Sequence, residues 1–170
     1  MVNWVFGLRK NVRLAWLFTP PLPTGGIGMP SGMTSNQFFQ DMTVAVENVM
    51  NETAIELLFP CGTAIQNART TALNNLGVFG QMSYDGLHLN DGIACQIATY
   101  AIVEKICKIM GISRSIVGNN ITVDENFLVQ NDIKEINEGA VGSTAENRLI
   151  AQKAAIMAIK KPFEITNINF

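Results

Sequence analysis

Val12–Phe18 (VRLAWLF) and Thr34–Phe59 (TSNQFFQDMTVAVENVMNETAIELLF) decide the fold. The first is a short, almost continuous apolar run. It is stopped by Thr19-Pro20-Pro21, and with Pro23 close behind no ladder can continue, so a strand ends there. The second opens with Thr34 and Gln37 at the spacing of a capping box, in which hydroxyl and amide satisfy opposite backbone N–H groups. Phe38, Met42, Ala45, Val46 and Val49 then recur at helical spacing. That pattern runs out near Glu52, and Ala54–Phe59 (AIELLF) reads as a second strand closed by Pro60 and Gly62. Strand, loop, helix and strand in this order make a βαβ unit with a right-handed crossover and parallel strands.

Downstream, Ala64–Asn74 reads as a short helix, and Gly77, Gly80 and Gly86 punctuate a loop over Asn75–Leu89. Asn90 is the expected N-cap of a long helix ending at Gly111. Ile112–Gly142 is less regular, with a brief strand at Ile121–Val123 and a helical turn at Asp132–Asn137. A last helix is expected from Thr144 to Lys161, where Pro162 stops it. Gly25-Gly26-Ile27-Gly28 does not lead from a strand into a helix, and no Lys-Ser/Thr follows. It reads as a flexible loop rather than a phosphate cradle.

Composition narrows the classes. The 170 residues carry 12 basic and 14 acidic side chains, a net charge of −2, which is no electrostatic footprint for nucleic acid. Charged residues are 15% of the chain, against about 25% in typical domains. The best candidate for a membrane span, Gly92–Ile112, is interrupted by Glu104, Lys105 and Lys108. No signal peptide is legible and the compartment stays open. Three widely spaced cysteines and one histidine argue against a disulfide framework, a zinc site or any other metal centre, and no cofactor motif is present.

The sharpest local feature is Tyr84-Asp85-Gly86-Leu87-His88-Leu89-Asn90. In a tight turn, a three-residue offset brings the Asp85 carboxylate to Nδ1 of His88. That contact fixes the tautomer and leaves Nε2 as a proton acceptor. The competing reading is that both residues simply cap a helix start. For a nucleophile, Cys61 lies just past a strand C-terminus and is the candidate substitute; its alternative is a small buried hydrophobe. Ser31 and Ser35 lie in the loop after the first strand, and Ser83 is too near Asp85 in the chain to reach the far side of the imidazole. Gln66, Asn67 and Arg69 either tie a helix to the active-site loops or line a solvated face.

These residues carry a resemblance. DGLHLN before an alanine-rich helix resembles the last conserved block of the SGNH (GDSL-type) serine hydrolases. Phe59–Leu73 (FPCGTAIQNARTTAL) and Ala155–Thr166 (AIMAIKKPFEIT) are similar to stretches of a Bacteroidetes SGNH-like subfamily. The resemblance implies a three-layer, doubly wound, flavodoxin-like α/β fold, incomplete here because the N-terminal strands are lacking. Residues 1–111 would be the C-terminal part of the hydrolase domain, and 112–170 a helical extension packed on it. It implies Asp85 and His88 as two triad members, and ester substrates such as acetylated carbohydrate. Members are often exported. The family's Gly-Asp/Asn-Ser nucleophile block is absent, so a truncated esterase, inactive alone, is expected; the alternative is a non-catalytic glycan- or protein-binding module. An open sheet edge beside Val12–Phe18 is expected to pair with a second copy or with a missing N-terminal fragment.

Overall fold

The computed structural model describes residues 12–111, 142 and 144–169. The strand expected at Ile121–Val123 and the turn expected at Asp132–Asn137 lie outside the described residues. In chain order come β1 (Leu14–Leu17), α1 (Ser35–Glu52), β2 (Ile55–Phe59), α2 (Cys61–Arg69), a 3₁₀ turn (Ala72–Asn75), α3 (Ile93–Ile109) and α4 (Ala145–Lys160). The fold is mixed α/β. β1 and β2 form a two-stranded parallel sheet, with Trp16 beside Leu58 and Leu17 beside Phe59, and a register shift between Leu14 and Ala15.

The capping box at α1 is complete. Thr34 Oγ1 accepts from the Gln37 N–H and Gln37 Oε1 accepts from the Thr34 N–H. The helix is rotated by about one residue from the expected stripe: Phe39, Thr43 and Val46 are buried, while Ala45 is exposed. The reason is Phe18. It is fully buried at the end of β1 and draws Phe39 onto its ring, with centroids 5.5 Å apart. Leu58 and Val46 complete this small core, and Phe163 from the C-terminal tail covers it.

α2 begins three residues earlier than expected, directly after Pro60. Gly62 is needed for close approach rather than for a turn. A Cβ there would lie 3.0 Å from the carbonyl carbon of Thr19, and the Gly62 N–H donates to the Phe18 carbonyl at 2.7 Å. Every residue from Cys61 to Ala68 is buried. The larger core lies between α2, α3 and α4, where Ala64, Ala68, Ala94, Ala101, Ala151, Ala154 and Ala158 let the three helices pack closely around Ile65 and Ile97. Polar side chains of α2 hold the C-terminal segment. Thr63 Oγ1 donates to the Pro162 carbonyl, Asn67 Nδ2 to the Ala154 carbonyl at 3.1 Å, and the Thr166 N–H to Asn67 Oδ1 at 2.6 Å.

α3 is capped by Gly92, with φ of 92°, not by Asn90. The Asn90 N–H is committed to the Met82 carbonyl at 3.0 Å, which turns its side chain inward. α3 buries Ile93, Ala94, Ile97 and Ala101, whereas Ile106 and Ile109 near its C-terminal end are exposed. Thr144 caps α4 through the Asn147 N–H, as its position suggested. No helix among the described residues is long and apolar enough to cross a membrane.

Candidate functional site

The loop between the 3₁₀ turn and α3 folds into a compact knot whose backbone conformation is costly. Gln81 and Met82 are consecutive non-glycine residues with positive φ, 53° and 57°. Their surroundings hold them there. Met82 is fully buried and its N–H donates to the Leu76 carbonyl at 2.8 Å. The Gln81 N–H donates to the Asn74 carbonyl, and its side-chain amide bonds the Thr24 N–H at 2.8 Å and the Thr24 carbonyl at 3.2 Å. The Gly25–Gly28 stretch is therefore anchored rather than free. The Ile27 N–H also donates to the Gly86 carbonyl at 3.0 Å, and the absence of a Cβ at Gly26 permits that approach.

On this base sits the Asp85–His88 turn. Asp85 Oδ1 accepts from the N–H groups of Leu87 and His88, at 2.9 and 2.8 Å, and Oδ2 lies 2.8 Å from His88 Nδ1. Gly86, with φ of 88°, supplies the left-handed step that closes the turn. Three donors converge on one carboxylate. The backbone N–H of His88, then the imidazole, then the Leu87 N–H hold Asp85 well below the usual carboxylate range. Ser83 locks the turn from inside. It is buried, its hydroxyl donates to the His88 carbonyl at 2.8 Å, and it accepts from the Gly86 N–H at 2.9 Å. The His88 side chain is 71% exposed. No hydrogen bond among the described residues uses its Nε2, so that nitrogen is open to solvent.

Cys61 behaves differently. It is buried in the helical core, its thiol donates to the Ala98 carbonyl at 3.6 Å, and burial pushes it up to about 11. It is a protonated thiol at neutral pH, and burial withholds the ionised form a nucleophile needs. Ser35 is also buried and bonds Gln66 and Arg69. Ser31 is exposed in the loop before α1. None of these three makes a hydrogen bond to His88 among the described residues.

The family model described as "Domain of unknown function (DUF4886)" matches residues 32–134. The chain belongs to the DUF4886 family. No curated protein matches it. The fold of this DUF4886 chain is similar to the crystal structure of a DUF4886 family protein from Bacteroides uniformis ATCC 8492, with a TM-score of 0.69 and 22% identity. The likeness covers 97% of this chain and 56% of that one, so the chain spans little more than half the length of its relative. These findings correct the family expected from the sequence. Both matches name DUF4886, and neither points to the SGNH hydrolases. The local D-x-x-H pattern and the GTAIQNAR stretch were read across to the wrong family.

Two parts of the candidate site are not legible in the sequence. Ser83 is no nucleophile, yet its hydroxyl positions the turn. Arg69, which the sequence allows as either a tie or a surface residue, is a largely buried cation. Its Nε donates to the Gln81 carbonyl and its Nη1 to the Pro21 carbonyl, Ser35 Oγ and Gln66 Oε1. The tie is thus real, and it runs from α2 both to the loop after β1 and to the strained pair under the turn. Beside it opens a polar cavity of about 470 Å³. Only the residue types Q-x-x-R on one helix hinted at it.

Proposed function

We propose that Asp85 and His88 are the acid–base half of an ester-hydrolysing site. The observation that carries this reading is the pairing of a locked Nδ1 with an open Nε2 on an exposed ring. Asp85 fixes the tautomer in which Nε2 accepts a proton from an attacking hydroxyl and passes it to the leaving alcohol. Tyr84 and Leu87 on the turn, and Phe79, which lies against Gly86, are exposed and offer an apolar rim to an acyl group. The nucleophilic hydroxyl belongs, in this reading, to chain beyond the described residues, so the described part alone is inactive. Acetylated carbohydrate is the substrate class proposed.

The same reading extends the sheet. Leu17 is 53% exposed on β1, whereas parallel strands are ordinarily covered on both faces. We propose further parallel strands beside β1 and a three-layer, doubly wound, flavodoxin-like arrangement. When those strands are absent, β1 pairs with a second copy or a partner fragment. Light scattering during size exclusion tests this: association is expected, and a concentration-independent monomer overturns it.

The activity test is p-nitrophenyl acetate hydrolysis by the protein as its gene encodes it, in wild type and in His88→Ala. The gene product is expected to lose about a hundredfold or more in His88→Ala. Equal rates in wild type and His88→Ala would falsify the assignment.

A further inference from the structure

The cavity beside Arg69 holds a charge that no described residue balances. All four hydrogen bonds from the guanidinium end on neutral oxygens: two backbone carbonyls, one hydroxyl and one amide. The ion pairs among the described residues are Arg13–Glu56, Asp85–His88 and Lys161–Glu164, and none involves Arg69. Burial lowers Arg69 to about 10, which still leaves it cationic at neutral pH. Buried charges are ordinarily paired, because an uncompensated ion loses its hydration without return. Nη2, with its two N–H groups, has no acceptor among the described residues.

The walls tell what kind of molecule would supply the missing charge. Thr24, Thr34, Asn36, Asn74 and Asn167 face the same space as Arg69, and among the described residues no acidic, aromatic or aliphatic one lines it. A hydrocarbon-rich ligand finds little apolar surface there, and a cation meets a like charge. Hydroxyls and amides suit a ligand rich in hydroxyl or carbonyl groups. The volume falls in the range of small-molecule sites. A single guanidinium balances a single negative charge.

We infer that this cavity binds a small polyhydroxylated monocarboxylate, its carboxylate on Arg69 Nη2 and its hydroxyls on the threonine and asparagine side chains. The inference does not rest on the hydrolase reading, since the cavity shares no residue with the Asp85–His88 pair.

The test is an NMR titration of the 170-residue chain, following the Arg69 Nε–H signal and the amides of Ser35 and Asn74. Glucuronate, glucose, acetate and inorganic phosphate are compared. Glucuronate is expected to give saturable shifts, with glucose, which has a similar ring but no charge, at least about tenfold weaker. Acetate is expected to move Arg69 alone and weakly. Asn74 makes no side-chain hydrogen bond among the described residues, so Asn74→Asp adds a fixed negative charge to the wall with little change of shape. It is expected to weaken glucuronate about tenfold or more and leave the rest of the spectrum in place. No saturable shift from any of the four up to about 50 mM would overturn the site. So would equal binding of glucose and glucuronate, or an unchanged affinity in Asn74→Asp. Tighter binding of phosphate than of glucuronate would overturn the monocarboxylate assignment.

Discussion

The Asp85–His88 turn and the Arg69 cavity are neighbours built on opposite electrostatic plans. In the turn, an exposed imidazole is paired with a carboxylate that itself takes three hydrogen bonds. In the cavity, a largely buried guanidinium has only neutral partners. Yet each plan commits all but one nitrogen. Nδ1 of His88 is held while Nε2 is open; Nε and Nη1 of Arg69 are held while Nη2 is open. The difference lies in where the compensating charge comes from. The turn carries its own, and so holds its shape without a ligand. The cavity leaves that role to something that binds.

The largest effect should come from cutting the tie between the two regions. Arg69→Met removes the donor to the Pro21 and Gln81 carbonyls and to Ser35 and Gln66. It should cost about 3 kcal/mol in urea unfolding, with the relief of a buried charge offsetting part of the lost bonding. If the cavity is independent of the turn, His88 signals will stay put in that variant; if Gln81 transmits the loss, they will shift. Ser83→Ala comes next, at about 1–2 kcal/mol, because a buried bridge between the His88 carbonyl and the Gly86 N–H disappears. This change should leave the cavity resonances where they are.

Smaller again is Asp85→Asn. The amide oxygen can still accept both backbone bonds, but the charge that fixes the ring is gone. Nitrogen-15 shifts of the imidazole should move from a single tautomer toward a mixture, with little change in overall stability. Acid should act in the same direction. Asp85 is depressed in the folded chain, so its contribution is complete above the ordinary carboxylate value near ~4 and is lost as pH falls through its lower folded value. Protection of the Leu87 and His88 amides against exchange, relative to the intrinsic rate at each pH, should persist from neutral pH downward and fall only below about pH 4.

Much of the scaffold was legible because it is local. The capping box at Thr34, the two strands and the Thr144 cap each depend on residues a few positions apart. The D-x-x-H contact was legible for the same reason. What escaped depends on long-range contacts. Phe39 faces inward because of Phe18, twenty-one positions earlier in the chain. Asn90 is drawn from its cap by Met82, and Gly62 serves the approach of Thr19 rather than a turn. The left-handed pair at Gln81 and Met82 has no propensity signal at all, since only the surrounding hydrogen bonds hold non-glycine residues there. Arg69 was visible as a residue but not as a site, because Pro21, Ser35 and Gln81 reach it from other segments. Family membership has the same character: D-x-x-H and GTAIQNAR are short motifs, and only the match over residues 32–134 identifies DUF4886.

The two oxygens of Asp85 do separate jobs, one stitching the backbone of the turn and the other steering the ring. Selection for a correctly shaped loop is therefore enough to retain the aspartate. Under the proposed hydrolysis, a relative that lost the reaction would keep Asp85 long after His88 drifted to another residue. The histidine that ends D-x-x-H, not the aspartate that begins it, is then the position whose persistence would track chemistry.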